Sequence, residues 1–147
     1  MTEPKRYKEI SEFLGQENVH GEISGPMDFI SVANEGVAAY AINNFKDGFD
    51  VSLSQVASIL SSSEPTLYRR IKSNKSLPKN DAIKLLEVTD LFLYGESLFG
   101  SKEDFFKWME LPNTALGGMR PMELVGFPEG VSKVMDLLGR IEFGVYS

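Results

Sequence analysis

LSQVASILSSSEPTLYRRIK, running from Leu53 to Lys72, is the stretch whose reading decides the fold. It carries two short runs of helical periodicity parted by three serines. Val56, Ala57 and Leu60 share one face of a helix predicted over residues 55–60, with Ser54 as its cap. Leu67 and Ile71 face inward from a second helix that Ser63 caps. Pro65 stands in the first turn of that helix, where its missing N–H costs nothing. Ala57 is small where the helices would cross, and Leu67 and Ile71 can seal the second helix onto Val56 and Leu60. The pair reads as a helix-turn-helix.

The outer face of the second helix then presents Glu64, Tyr68, Arg69 and Lys72 to a groove, and its first turn, with Ser63 and Thr66, can approach phosphate. A guanidinium can grip guanine bidentately, so Arg69 suits a base edge, whereas Arg70, Lys75 and Lys79 suit phosphates. The turn departs from the usual pattern. Ser61 stands where glycine is common, Ser62 where an aliphatic residue seals the turn, and Glu64 repels phosphate unless it accepts from cytosine. An ordinary helical hairpin with a solvated basic face would show the same periodicity.

Charge by segment agrees with the groove reading. Residues 51–80 carry a net charge of +4, between segments 1–50 and 81–147 that each carry −5, in a chain of net charge −6. A basic island in an acidic chain is the electrostatic footprint of a small nucleic-acid-binding unit. The acidic remainder keeps the molecule from clinging to polyanions at large.

Working outward, residues 1–25 are polar and glycine-punctuated, and read as a mobile segment with at most a short helix over residues 7–14. Structure is predicted to begin near Pro26, with one helix over residues 32–45. Beyond the basic island, Pro78 and Asn80 open a long helix to about Phe99. Residues 102–109, 121–125 and 129–141 are three further helices, and Leu116-Gly117-Gly118 is a turn that needs glycine's backbone freedom. No strand pattern appears. The fold class is all-α, with a helix-turn-helix bundle over residues 26–99 and a small helical domain over residues 100–147.

Composition excludes most chemistry. With 147 residues, 42% of them hydrophobic, the chain can bury a core. The absence of cysteine removes disulfides, thiol nucleophiles and thiolate metal sites. The lone His20 lies in a polar, glycine-flanked stretch and reads as a solvated side chain. Glu103 and Asp104 are adjacent on a helix and point apart, which unsuits them as a catalytic pair. No catalytic group, metal site or cofactor is expected, and neither a signal peptide nor a membrane span is legible, so a cytoplasmic protein is expected.

The last residues are unusual. Domain ends commonly fray into small polar residues, but this chain closes on Ile141, Phe143, Val145 and Tyr146. Apolar groups at a terminus need a place to dock, either the chain's own core or a partner.

Leu60, Thr66-Leu67, Arg69-Arg70 and Leu77-Pro78 are followed by Trp108, Leu111-Pro112-Asn113, Ala115-Leu116-Gly117-Gly118, Pro121 and Leu124. Gly130, Val134, Leu137-Leu138-Gly139-Arg140-Ile141, Gly144 and Tyr146 complete the series. From about residue 27 to its end the chain therefore resembles the Xre/ParS/MbcA-type antitoxins, partners of RES-domain toxins. The resemblance implies an antitoxin, not an enzyme, that represses its own operon as a homodimer on operator DNA. It also implies a C-terminal domain that occludes the active site of an NAD-degrading toxin. The toxin-binding residues it implies are Trp108, Asn113, Arg140, Phe143, Val145, Tyr146 and Ser147, with the stretch from Arg140 to Ser147 at the mouth of the NAD pocket. Arg140 has two readings, a toxin contact or an internal brace to Asp136 or Glu142. A stand-alone helix-turn-helix regulator with a C-terminal dimerisation domain is the alternative, and a toxin-binding module that no longer binds DNA is another.

Overall fold

The computed structural model describes residues 3–144. Among these the chain is all-helical: α1 (Glu3–Leu14), α2 (Asp28–Glu35), α3 (Tyr40–Phe49), α4 (Leu53–Ile59), α5 (Glu64–Ser73), α6 (Lys79–Phe99), α7 (Lys102–Met109), α8 (Pro121–Val125) and α9 (Gly130–Glu142), with a 3₁₀ turn at Thr114–Leu116. Two compact units divide it, Met1–Asp90 and Leu91–Ser147. The division falls inside α6, nine residues before the boundary expected after Phe99.

The N-terminal stretch is not the mobile segment that its polarity suggested. Tyr7, Ile10 and Leu14 repeat at helical spacing along α1 and are buried. The ring of Tyr7 meets Phe29 of α2 edge-on, and Phe13 stacks on Phe49 of α3. A charge pair fixes the same helix. Arg6 Nε donates to Asp90 Oδ1 at 2.6 Å and Nη2 donates to the Tyr7 hydroxyl at 2.9 Å. Burial works against the charge on Arg6, but Asp90 and Tyr7 more than offset it and hold the guanidinium above its ordinary value. Apolar spacing and a buried ion pair outweigh the surrounding polar residues.

The single helix expected over residues 32–45 is two helices. Gly36 ends α2 with φ 118°, and the chain then runs extended long enough for Val37 to pair with Val19 and Ala38 with Ser76. The Asn74 side chain accepts from the Tyr40 backbone N–H, and the Lys75 carbonyl from that of Ala39. These bonds tie the start of α3 to the end of α5. In the first unit the side chains sealed completely include Ile10, Leu14, Ile42, Phe45, Phe49, Leu67, Leu85 and Leu86.

The α4–α5 hairpin forms where Leu53–Lys72 placed it, with one correction. Ser52, not Ser54, caps α4, in a reciprocal box with Gln55. Ser63 caps α5 by accepting from the Thr66 N–H, and Pro65 stands in its first turn, as read. Val56, Ala57, Leu60 and Leu67 are buried at the packing face. Ser61 takes the left-handed conformation, φ 52°. The position calls for the geometry that glycine adopts freely, and serine reaches it at a cost.

The second unit is built on the last part of α6. Phe92, Phe105, Met109, Val125, Val134 and Leu138 are sealed inside it. Gly95 lets Phe105 lie against α6, since a Cβ there would sit 2.0 Å from that ring. Gly117 and Gly118 both adopt positive φ in the predicted turn.

Two substitutions test this account. Asp90→Asn strands the buried Arg6 charge and should lower the unfolding free energy by about 3 kcal/mol, read from denaturant midpoints at constant slope; a loss below about 0.5 kcal/mol would show that the pair does not anchor α1. Ser61→Gly relieves the strained turn and should raise stability by about 1 kcal/mol; a fall in midpoint would contradict the strain argument.

Candidate functional site

The residues picked out by sequence fall into two groups, one in each unit. The first is the outer face of α5. Tyr68 is 55% exposed, and Glu64, Arg69 and Lys72 are also exposed. Lys72 Nζ lies 5.7 Å from the centre of the Tyr68 ring. Ser63 Oγ donates to Thr66 Oγ1 at 2.8 Å, and Arg69 Nη2 donates to the same Thr66 oxygen at 3.3 Å. Lys75 stands just beyond the helix, which Asn74 ends in the left-handed conformation.

Arg70 does not join this face. Its Nη1 donates to Asp81 Oδ2 at 2.6 Å, which draws it toward α6 and half buries the pair. The sequence placed Arg70 on phosphate because net charge marks a basic segment without showing which cation is already neutralised. Asp81 carried the missing signal: an acid eleven residues further on, in the first turn of the next helix.

The second surface belongs to the second unit. Trp108 is half-buried, with its ring 5.5 Å from that of Phe99 and stacked at 6.4 Å on that of Phe105. Phe106 and Phe92 extend the same aromatic cluster. Trp108 is therefore part of the packing as well as part of the surface. Asn113 is occupied within its own loop: Oδ1 accepts from the Ala115 N–H, its carbonyl accepts from Leu116 and Gly118, and its N–H donates to Met119. Its role is to close the Leu-Pro-Asn loop. Arg120 pins that loop to α8 through Glu123 at 2.5 Å and Glu110 at 2.8 Å, and the bond to Glu123 is the first of the causes that raise its pKa. Burial pushes the Glu96 carboxyl up; Lys102 opposes this shift and Glu103 adds to it.

Arg140 is exposed, and neither Asp136 nor Glu142 pairs with it. Glu142 instead accepts from the Tyr94 hydroxyl at 2.5 Å, which fastens the end of α9 to α6. Phe143 is 76% exposed, Phe127 55% and Leu111 53%. Phe127 and Leu111 were not among the residues singled out by sequence; both lie in loops, where no periodicity marks the outward side. Val145, Tyr146 and Ser147 lie outside the described residues.

Other features are less telling. A cavity of about 480 Å³ between α1 and the loop after it, lined by Lys8, Gln16, Glu22 and Ile23 among others, includes none of the predicted site residues. Among the described residues no cluster of histidine, aspartate or glutamate could hold a metal ion, and no helix is long and apolar enough to cross a membrane.

Comparison with known proteins agrees with this division of the chain. Residues 95–144 match the family described as the antitoxin Xre/MbcA/ParS C-terminal toxin-binding domain. The chain is 26% identical over 133 residues to the Prs ADP-ribosylating antitoxin of Sphingobium sp., with 84% of each chain covered. It is 23% identical over 125 residues to the antitoxin Xre of Photorhabdus laumondii, again with 84% of each covered. A shorter likeness, 43% over 54 residues, links it to 16% of the 6-hydroxy-3-succinoylpyridine 3-monooxygenase HspA of Pseudomonas putida. Residues 95–144 thus carry the toxin-binding domain of the Xre/MbcA/ParS antitoxins, and along most of its length the chain is similar to two antitoxins.

Proposed function

We propose that this antitoxin holds a RES-domain, NAD-degrading toxin inactive by covering its active site with the second unit. We propose further that it represses its own operon as a homodimer through α4 and α5. The observation that carries the first part is the match of residues 95–144 to a toxin-binding domain. That same segment leaves Phe143, Phe127 and Leu111 more than half exposed, and Arg140 exposed with no ion pair among the described residues. Exposed aromatic side chains and an exposed arginine are the residue types that dominate binding energy at protein interfaces. Of the two readings of Arg140, the toxin contact is the better supported.

The charge and geometry of the first unit support the DNA part. Ser61 adopts the turn geometry expected of glycine, so the serine substitution leaves the hairpin intact. The exposed face of α5 combines Arg69, Lys72 and a capped N-terminus, and the basic island carries +4. A dimer would then place two such helices on half-sites about one helical turn apart, or a multiple of that.

Occlusion needs no chemistry from the antitoxin, in keeping with a chain that has no cysteine and one histidine. The aromatic tail would enter or rim the NAD pocket, with Tyr146 as a rigid anchor.

The tail is tested by co-expressing the toxin with a chain that stops after Ile141. Growth rescue should be lost while the shortened antitoxin remains folded by circular dichroism. Undiminished rescue would remove the tail from the mechanism.

A further inference from the structure

We propose that Thr66 is a positioning residue that aims Arg69 at a guanine, so that these two side chains set sequence preference while Lys72 and Lys75 set affinity. The inference rests on the DNA-binding reading of α5.

Three cations lie on α5, and the structure gives each a different disposition. Arg70 is paired with Asp81 and drawn toward α6. Lys72 leans toward the Tyr68 ring and offers a compact point charge, which suits a phosphate but has no fork to match a base edge. Arg69 is the arginine of α5 that remains exposed and makes no ion pair among the described residues.

Arg69 is not free to wander. Residues 63, 66 and 69 succeed one another at a spacing of three, which stacks them along one side of the helix. Ser63 Oγ accepts from the Thr66 N–H at 3.2 Å and donates to Thr66 Oγ1 at 2.8 Å. Thr66 Oγ1 also accepts from Arg69 Nη2 at 3.3 Å. A hydroxyl oxygen has two acceptor sites, and both are filled by these neighbours, so Thr66 can only donate outward. A guanidinium has five N–H donors, and one is committed to Thr66, which leaves a pair for the O6 and N7 of guanine. A side chain already held in place loses less rotamer freedom on binding, and that saving appears only at the matching base.

The first turn argues for a base edge over a phosphate. Glu64 is exposed there, and its charge repels a phosphate while it can accept from cytosine N4. The helix N-terminus is thereby biased against the sequence-independent contact.

The test uses the full antitoxin and its own promoter DNA, first footprinted and then prepared with 7-deazaguanine at each guanine in turn, which removes the N7 acceptor. At one guanine per half-site the replacement should weaken wild-type binding about tenfold and leave Arg69→Ala binding unchanged. Thr66→Val should lower the ratio of specific to non-specific affinity about fivefold with the salt slope unchanged, and Thr66→Ser, which keeps the hydroxyl, should restore the ratio. Lys72→Ala should do the reverse, reducing the salt slope by about one at constant ratio. Specific binding that ignores every 7-deazaguanine would overturn the role of Arg69. A Thr66→Val ratio equal to wild type would overturn the positioning role alone. No binding of wild type to promoter DNA even at low salt would instead remove the DNA reading itself. Melting curves of Thr66→Val and Thr66→Ser identify any loss that comes from unfolding.

Discussion

The burial of α6 is the constraint on which the rest of this structure depends. From Leu85 to Leu93 every residue except Glu87 is buried, so the middle of the helix has almost no face to give to water. A helix buried on nearly all sides must be surrounded, and its polar members Thr89 and Asp90 must find partners. The first part of α6 draws in the core of the first unit, including the Arg6–Asp90 pair that anchors α1. The last part supplies Phe92 and Gly95, the floor on which Phe105 packs. A single helix thus contributes to both compact units. Its two ends also hold the functional elements: Asp81 braces α5 through Arg70, and Tyr94 fastens α9 through Glu142.

The two surfaces differ in chemistry in the way the two proposed tasks would require. The face of α5 is polar and basic, with Arg69 and Lys72 set off against an acidic chain. On the proposed DNA reading, long-range attraction to a polyanion would act there, and salt would screen it. The second unit exposes large apolar side chains, and also Arg140, which makes no ion pair among the described residues. Such a surface gains most from being dried against another protein, and the dry contact is less sensitive to salt. Assigning the toxin to the second unit and DNA to the first follows this difference.

Much of the architecture was legible because local rules and burial agreed. Ser63 with Pro65, and Pro121 at the head of α8, are start signals whose helices form where they point. The failures have physical causes. Tyr7, Ile10 and Leu14 carry a helical stripe, but the charges between them hide it, and the partner of Arg6 is 84 residues away. The break at Gly36 is set by pairing of Val37 with Val19 and Ala38 with Ser76, contacts that no window of local sequence contains. At the site, residue types were readable but their commitments were not. Arg70 was read as a phosphate contact from its charge and Asn113 as a toxin contact from the resemblance; each is engaged within the chain, Arg70 by a carboxylate and Asn113 by its own loop. Arg140 shows the opposite case, since the acids nearest to it in sequence leave it unpaired. Phe127 and Leu111 had no periodic signal and emerge only from their exposure.

The central claim is that the second unit exists to hold a toxin. Its most direct test is to purify the antitoxin at native expression level from its own host and identify what accompanies it, by mass spectrometry of the intact complex. The account predicts a stoichiometric RES-domain protein that degrades NAD⁺ once the antitoxin is removed. Recovery of the antitoxin alone, or only as a self-associated species, would contradict it.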